Sequence, residues 1–150
     1  MKTKFLLILV VLFSLSSCGY SPIYTNQSEV NFNLKINKIS GNNVMNNVVR
    51  SQIKKYDNNP TKETIFVDIK TNYSKDILSK NKKGEVTSYL IKMEIEIEKT
   101  GSQSQKYNFE EKTKTSSMSN KFELKKYEDT IINNFINSQL EKFVFKITSP

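Results

Sequence analysis

From Ile91 to Glu98 the chain alternates without a break, with Ile91, Met93, Ile95 and Ile97, preceded by Tyr89, on one side and Lys92, Glu94, Glu96 and Glu98 on the other. Successive side chains of a strand point to opposite faces, so this segment has one face that must be buried and one that must stay wet. The chain therefore builds a sheet covered on one side only, and the remaining segments have to supply both its neighbouring strands and its cover. Asn31 to Asn37 alternates in the same way, with Phe32, Leu34 and Ile36 opposed to Asn33, Lys35 and Asn37. From Thr64 to Tyr73 a further strand is predicted, continuing less regularly toward Lys80, and Tyr107, Phe109, Glu111, Thr113 and Thr115 mark a fourth whose far half is polar enough for an edge.

Two segments change period. Gly41-Asn42-Asn43 breaks the first strand and supplies an N-cap, after which Val44, Met45, Val48, Val49, Ile53 and Tyr56 recur at helical spacing until Asp57-Asn58-Asn59-Pro60. In the last 30 residues Leu124, Tyr127, Ile131, Phe135, Leu140 and Phe143 form a stripe widened by Ile132, Ile136 and Val144, the pattern of a long amphipathic helix. That stripe has two readings, core against the sheet or a partner-binding face, and core explains it adequately. The order β-α-β-β-β-α implies one parallel crossover in an otherwise antiparallel sheet. The predicted fold is α+β, with two helices packed on one face of a four-stranded mixed sheet. With 150 residues the chain suits a single domain.

Composition narrows the chemistry. The chain has no His and one Cys, which removes imidazole-based acid–base catalysis, internal disulfides and zinc clusters. Glu94, Glu96 and Glu98 share a strand face and could in principle hold a cation, but flanked by Lys92 and Lys99 they read as a wet sheet face. There is no Gly-rich phosphate loop. Neither an enzyme nor a cofactor or metal is expected. The formal charge is +8, yet among 23 basic residues only Arg50 is Arg, and the abundance of Lys, Asn and Ile together with the lack of Ala matches an AT-rich genome. A nucleic-acid partner, which would favour Arg interleaved with aromatics, is not expected. Lys80, Lys82 and Lys83 sit at a hairpin turn closed by Asn81-Lys82-Lys83-Gly84; they form either a solvated tip or a contact for phosphates of a lipid head group or nucleic acid. Lys112, Lys114, Lys121, Lys125 and Lys126 carry the same pair of readings.

The N-terminus has an address of its own. Lys2 and Lys4 precede an apolar run from Phe5 to Leu15, which at eleven residues is shorter than the ~20 of a membrane-spanning helix and fits the core of a signal peptide. Leu15-Ser16-Ser17-Cys18 matches a bacterial lipobox, and the only Cys of the chain occupies its acylated position. An ordinary signal peptide with a coincidental Cys and an uncleaved anchor are the competing readings. Residues 1–17 are thus expected to be a lipoprotein signal peptide, 18–29 a lipidated tether and 30–148 the single folded domain. Several acyl chains on Cys18 would hold the protein on a membrane durably, where one would not. Gly19 after the Cys favours the outer membrane by the enterobacterial sorting rule.

Cys18-Gly19-Tyr20-Ser21-Pro22-Ile23-Tyr24 resembles the mature start of the lipopolysaccharide-assembly lipoprotein LptE family, in particular its alphaproteobacterial form, where Cys-Gly-aromatic-x-Pro-aliphatic-Tyr is typical. Phe122-Glu123-Leu124 through Phe143 looks like the closing helix of that family. The Arg- and Ala-rich character usual there is absent. The resemblance implies a non-enzymatic outer-membrane lipoprotein that partners and plugs the barrel LptD, assists its assembly and helps deliver lipopolysaccharide to the outer leaflet. It carries over no lumen-contact residue, and Lys80, Lys82 and Lys83 are candidate contacts for lipopolysaccharide or the partner on their charge at the hairpin tip. Another outer-membrane lipoprotein subunit, such as a barrel-assembly accessory or a secretion pilotin, is the alternative.

Overall fold

The computed structural model describes residues 30–58, 60–101 and 104–148. The signal peptide, the tether and Cys18 lie outside the described residues. The elements run β1 (Phe32–Gly41), α1 (Asn43–Ile53) with a 3-10 turn at Lys54–Tyr56, β2 (Glu63–Lys80), β3 (Val86–Lys99), β4 (Gln105–Ser116) and α2 (Lys121–Thr148). The sheet order is β1-β2-β3-β4, with β1 and β2 parallel and the other pairs antiparallel, so α1 is the expected crossover and β4 the expected edge.

β1 runs four residues past the predicted alternation because a register shift between Ile36 and Lys38 absorbs one residue. The extra residue restores the parity, and Ile39 lies beside Ile69 on the same face that Leu34 and Ile36 share with Ile65 and Val67. Along the inner face β3 contributes Ile91, Met93, Ile95 and Ile97, each at most 1% exposed. Met45, Val49, Ile53 and Tyr56 from α1, and Ile132, Phe135, Ile136, Leu140, Phe143 and Val144 from α2, close over it in one continuous core. The outer face carries ion pairs between Lys92 and Asp76 (3.2 Å), Lys106 and Glu96 (2.8 Å), and Lys112 and Glu110 (2.5 Å). Glu94, Glu96 and Glu98 lie on this face, and among the described residues no acidic cluster is placed to hold a metal ion.

α1 begins where the sequence puts it. Asn42 caps it, its side-chain oxygen accepting from the Met45 N–H at 3.1 Å. The helix is rotated from the predicted stripe, however. Val44, expected in the core, is 43% exposed, and Asn46 takes a core place at 8%. Helical residues advance by about 100°, so a helix that buries Met45, Val49 and Ile53 turns Val44 outward. Asn46 is tolerated because its side-chain oxygen accepts from the Thr71 hydroxyl at 2.8 Å, pairing two buried polar groups across the helix–sheet interface. In α2 the stripe is buried from Ile132 to Val144, whereas Leu124, Tyr127 and Ile131 are half-buried.

Candidate contact site at the hairpin tip

The described chain enters β1 at the end where Phe32 pairs with Glu63, and the lysine turn lies at the other end of β2. Eighteen residues of strand at about 3.3 Å each separate the two ends by roughly 60 Å. At the tip the turn is held by one side chain. Asn81 accepts through its side-chain oxygen from the N–H groups of Lys83 (2.9 Å) and Glu85 (3.0 Å), while its amide donates to the Glu85 carboxylate at 2.6 Å. Its backbone carbonyl accepts from the Gly84 N–H at 3.0 Å, and Gly84 takes the left-handed conformation at φ +83°. With Asn81 turned inward, Lys80, Lys82 and Lys83 all project to solvent, and none of the three ion-pairs with a carboxylate among the described residues.

The tip has an apolar shoulder that the alternation did not reveal. Ile77 and Leu78 are 53% and 46% exposed on opposite faces of β2, where the register slips between Ile77 and Ser79. β4 ends at this same end of the sheet, with Ser116 opposite Ser88, and α2 starts shortly afterwards. Phe122 in its first turn is 76% exposed and lines a shallow groove with Lys125, Lys126 and Asp129. Exposed apolar side chains ringed by ammonium groups suit an amphiphilic or membrane-embedded anionic partner. The adjacent Ile77 and Leu78, breaking the period of β2, were a signal in the sequence, whereas Phe122, five full turns from the stripe residue Leu140, gave none.

A polar cluster fastens this end of the sheet to α2. Glu128 accepts a hydrogen bond from the Tyr73 hydroxyl at 3.2 Å and pairs with the Lys75 ammonium, which also sits 4.4 Å above the centre of the Tyr89 ring. Burial, with the charge and hydrogen bond of Glu128 behind it, holds the Tyr73 phenol well above its ordinary value of 10.0. Tyrosine in the unfolded chain ionises near that value while Tyr73 in the fold stays protonated, so the native state keeps a proton that the unfolded state loses. Stability from this group is complete below pH 10 and is lost as the pH rises further. Urea midpoints measured from about pH 9 to pH 12 are expected to fall more steeply for the wild type than for Tyr73→Phe.

Together these elements define a class: a two-layer domain in which a crossover helix and a closing helix cover one face of a four-stranded mixed sheet with a long projecting hairpin. Solved structures that share that fold include two lipoproteins. Rare lipoprotein B from Shewanella oneidensis superposes with a TM-score of 0.53 at 12% identity, over 75% of this chain and 95% of that one. Lipoprotein B from Nitrosomonas europaea gives 0.50 at 11% identity, over 81% and 87%. No family model and no curated protein sequence matches the chain. At this identity the likeness is one of fold, and it carries no residue correspondence at the tip.

Proposed function

We propose that the chain is a non-enzymatic outer-membrane lipoprotein of the LptE type, anchored on the periplasmic side through acylated Cys18. It partners an LptD-like barrel, fills the lumen, and assists barrel assembly and the delivery of lipopolysaccharide. The observation that carries this reading is the coincidence of a fold shared with rare lipoprotein B, a homologue of LptE, and the Cys18–Tyr24 segment that resembles the LptE start. The alphaproteobacterial subtype rests on that segment alone. The physics is consistent with a plug. A wide barrel has a polar interior, and the outer sheet face, with Lys106, Lys112 and their carboxylate partners, presents charge that needs no desolvation against a wet wall. Lys80, Lys82 and Lys83, at the end of β2 remote from where the described chain enters the sheet, are the contacts for lipid phosphates.

The test is a C-terminally tagged chain extracted from outer membranes in mild detergent, with mass spectrometry of whatever copurifies in near-equal amount. An LptD-like barrel supports the reading; a different barrel or a secretion complex replaces it with the accessory or pilotin alternative. Cys18→Ser is expected to release the protein from the membrane fraction, since one acyl chain already contributes roughly 0.8 kcal/mol per buried methylene and the serine carries none. Reversing Lys80, Lys82 and Lys83 to Glu together is expected to weaken binding of lipopolysaccharide by tenfold or more while leaving the thermal midpoint within about 2 °C. Unchanged binding would remove the tip from the mechanism and leave the plug standing.

A further inference from the structure

The two edges of the sheet differ. β1 is blunted by its register shift, by the Lys62 ammonium bonded to the Val30 carbonyl at 2.6 Å, and by the Lys35–Asp57 ion pair at 3.5 Å. β4 also carries ion pairs, Lys106 with Glu96 and Lys112 with Glu110, but these lie on the outer face and the strand has no such shift. It pairs with β3 over twelve consecutive positions without a shift, and its outer side faces no strand among the described residues. α2 covers it in part: the Phe143 ring meets Tyr107 at 5.2 Å, and Tyr107 and Phe109 stay half-buried on the inner face with the Lys146 ammonium 5.9 and 5.3 Å from their ring centres. A flat, unshielded edge with aromatics beneath it is a template for another strand.

We propose that β4 pairs antiparallel with β4 of a second copy of this chain, in the register that sets Asn108 opposite its twin. The charge pattern selects this register. A two-fold pairing that keeps the inner and outer faces continuous must centre on a residue of the strand. Centring on Phe109 sets Lys106 against Lys112, on Glu110 sets Lys106 against Lys114, and on Thr113 sets Lys112 against Lys114. Centring on Lys106, Glu111, Lys112 or Lys114 sets that residue against itself, and centring on Tyr107 brings no opposite charges together. Centring on Asn108 opposes Lys106 to Glu110 twice on the outer face and Tyr107 to Phe109 twice on the inner face, with no like charges facing. Unlike-charge and aromatic cross-strand pairs are the favourable ones.

Asn108 lies level with Glu96, Lys70 and Ser40, so in this dimer the two β1 strands become the outer edges of an eight-stranded sheet and the two lysine tips point in opposite directions. The dimer is a state of the free lipoprotein, and it stands whether or not the barrel reading does.

The full chain in mild detergent, studied by light scattering after size exclusion over a concentration series, is expected to show a protein mass of two chains. Lys106→Glu and Glu110→Lys are each expected to weaken dimerisation by about tenfold or more, because each places two like-charge pairs across the dyad. The double variant restores the opposition between copies, although Lys106 and Glu110 lose their own partners Glu96 and Lys112, and is expected to recover the dimer. Circular dichroism of each variant separates dissociation from unfolding. Asn108→Cys is expected to form a disulfide-linked dimer on oxidation, whereas Lys114→Cys, twelve positions from its twin, and the wild type with Cys18 are not. A monomer throughout the series, a dimer indifferent to the single reversals, or equal cross-linking at positions 108 and 114 would each overturn the pairing.

Discussion

Gly41→Ala is expected to destabilise the protein by about 4 kcal/mol and lower its thermal midpoint by roughly 15 °C. Gly41 closes β1 at φ +102°, where a side chain is strained whatever the space around it. Here there is no space either, because a Cβ would stand 1.9 Å from the carbonyl oxygen of Thr71 and 2.8 Å from its carbon. That oxygen belongs to the neighbouring parallel strand and accepts from the Asn42 N–H at 3.2 Å, the contact that turns the chain out of β1 into α1. Relief would require β1 to move off β2 at the point where the Thr71 hydroxyl also bonds Asn46, so the strain spreads into the helix cap and its buried polar pair. Gly84→Ala is the control. Its φ of +83° is also left-handed, but nothing stands within 4 Å of the added methyl, and the expected cost is about 1 kcal/mol. Thermal denaturation of both variants checks the difference; equal midpoints would show that conformation alone, not the approach of Thr71, sets the requirement for glycine.

The same pair of glycines shows what is legible in a sequence of this kind. That Gly41-Asn42-Asn43 ends a strand and caps a helix is local information, carried by backbone preference and by the reach of one Asn side chain. That Gly41 presses on Thr71 depends on the parallel register of two strands joined by a helix, which no local pattern encodes. The four strands and two helices were readable for the first reason, since one-sided burial imposes a period on every one of them. Asn46 in the core and Val44 outside it were not, because the rotation of α1 is set by the Thr71 hydroxyl twenty-five residues on. Of the tip, the lysines, the turn and the broken period at Ile77 and Leu78 were legible, while the exposure of Phe122 and the tie from Tyr73 and Lys75 to Glu128 arise only when α2 meets the sheet.

Phe143→Ala is expected to cost about 4 kcal/mol, while the same change at Phe122 or Phe145 is expected to stay within about 0.5 kcal/mol, although all three residues belong to one helix. Rotation decides for Phe145, and position along the helix decides for Phe122, which shares the face of buried Leu140 but lies in the first turn, before the buried run that starts at Ile132. Phe143 is fully buried and meets the Tyr107 ring edge-on, with centroids 5.2 Å apart and planes at 78°, so truncation leaves a cavity beneath β4 and removes an aromatic pair. Phe145 stands about 200° further round and is 70% exposed, and Phe122 at the tip end is 76% exposed. At 76% exposure Phe122 adds little to folding, and it stands in the groove beside Lys125 and Lys126 at the candidate contact end. Phe122→Ala in the tagged chain is therefore expected to leave the thermal midpoint unchanged and to reduce recovery of the copurifying partner, whereas Phe145→Ala, at the other end of α2 and away from the lysine tip, changes neither. If both variants recover the partner as the wild type does, the tip end of α2 is not part of the contact, and the apolar shoulder on β2 has to carry it alone.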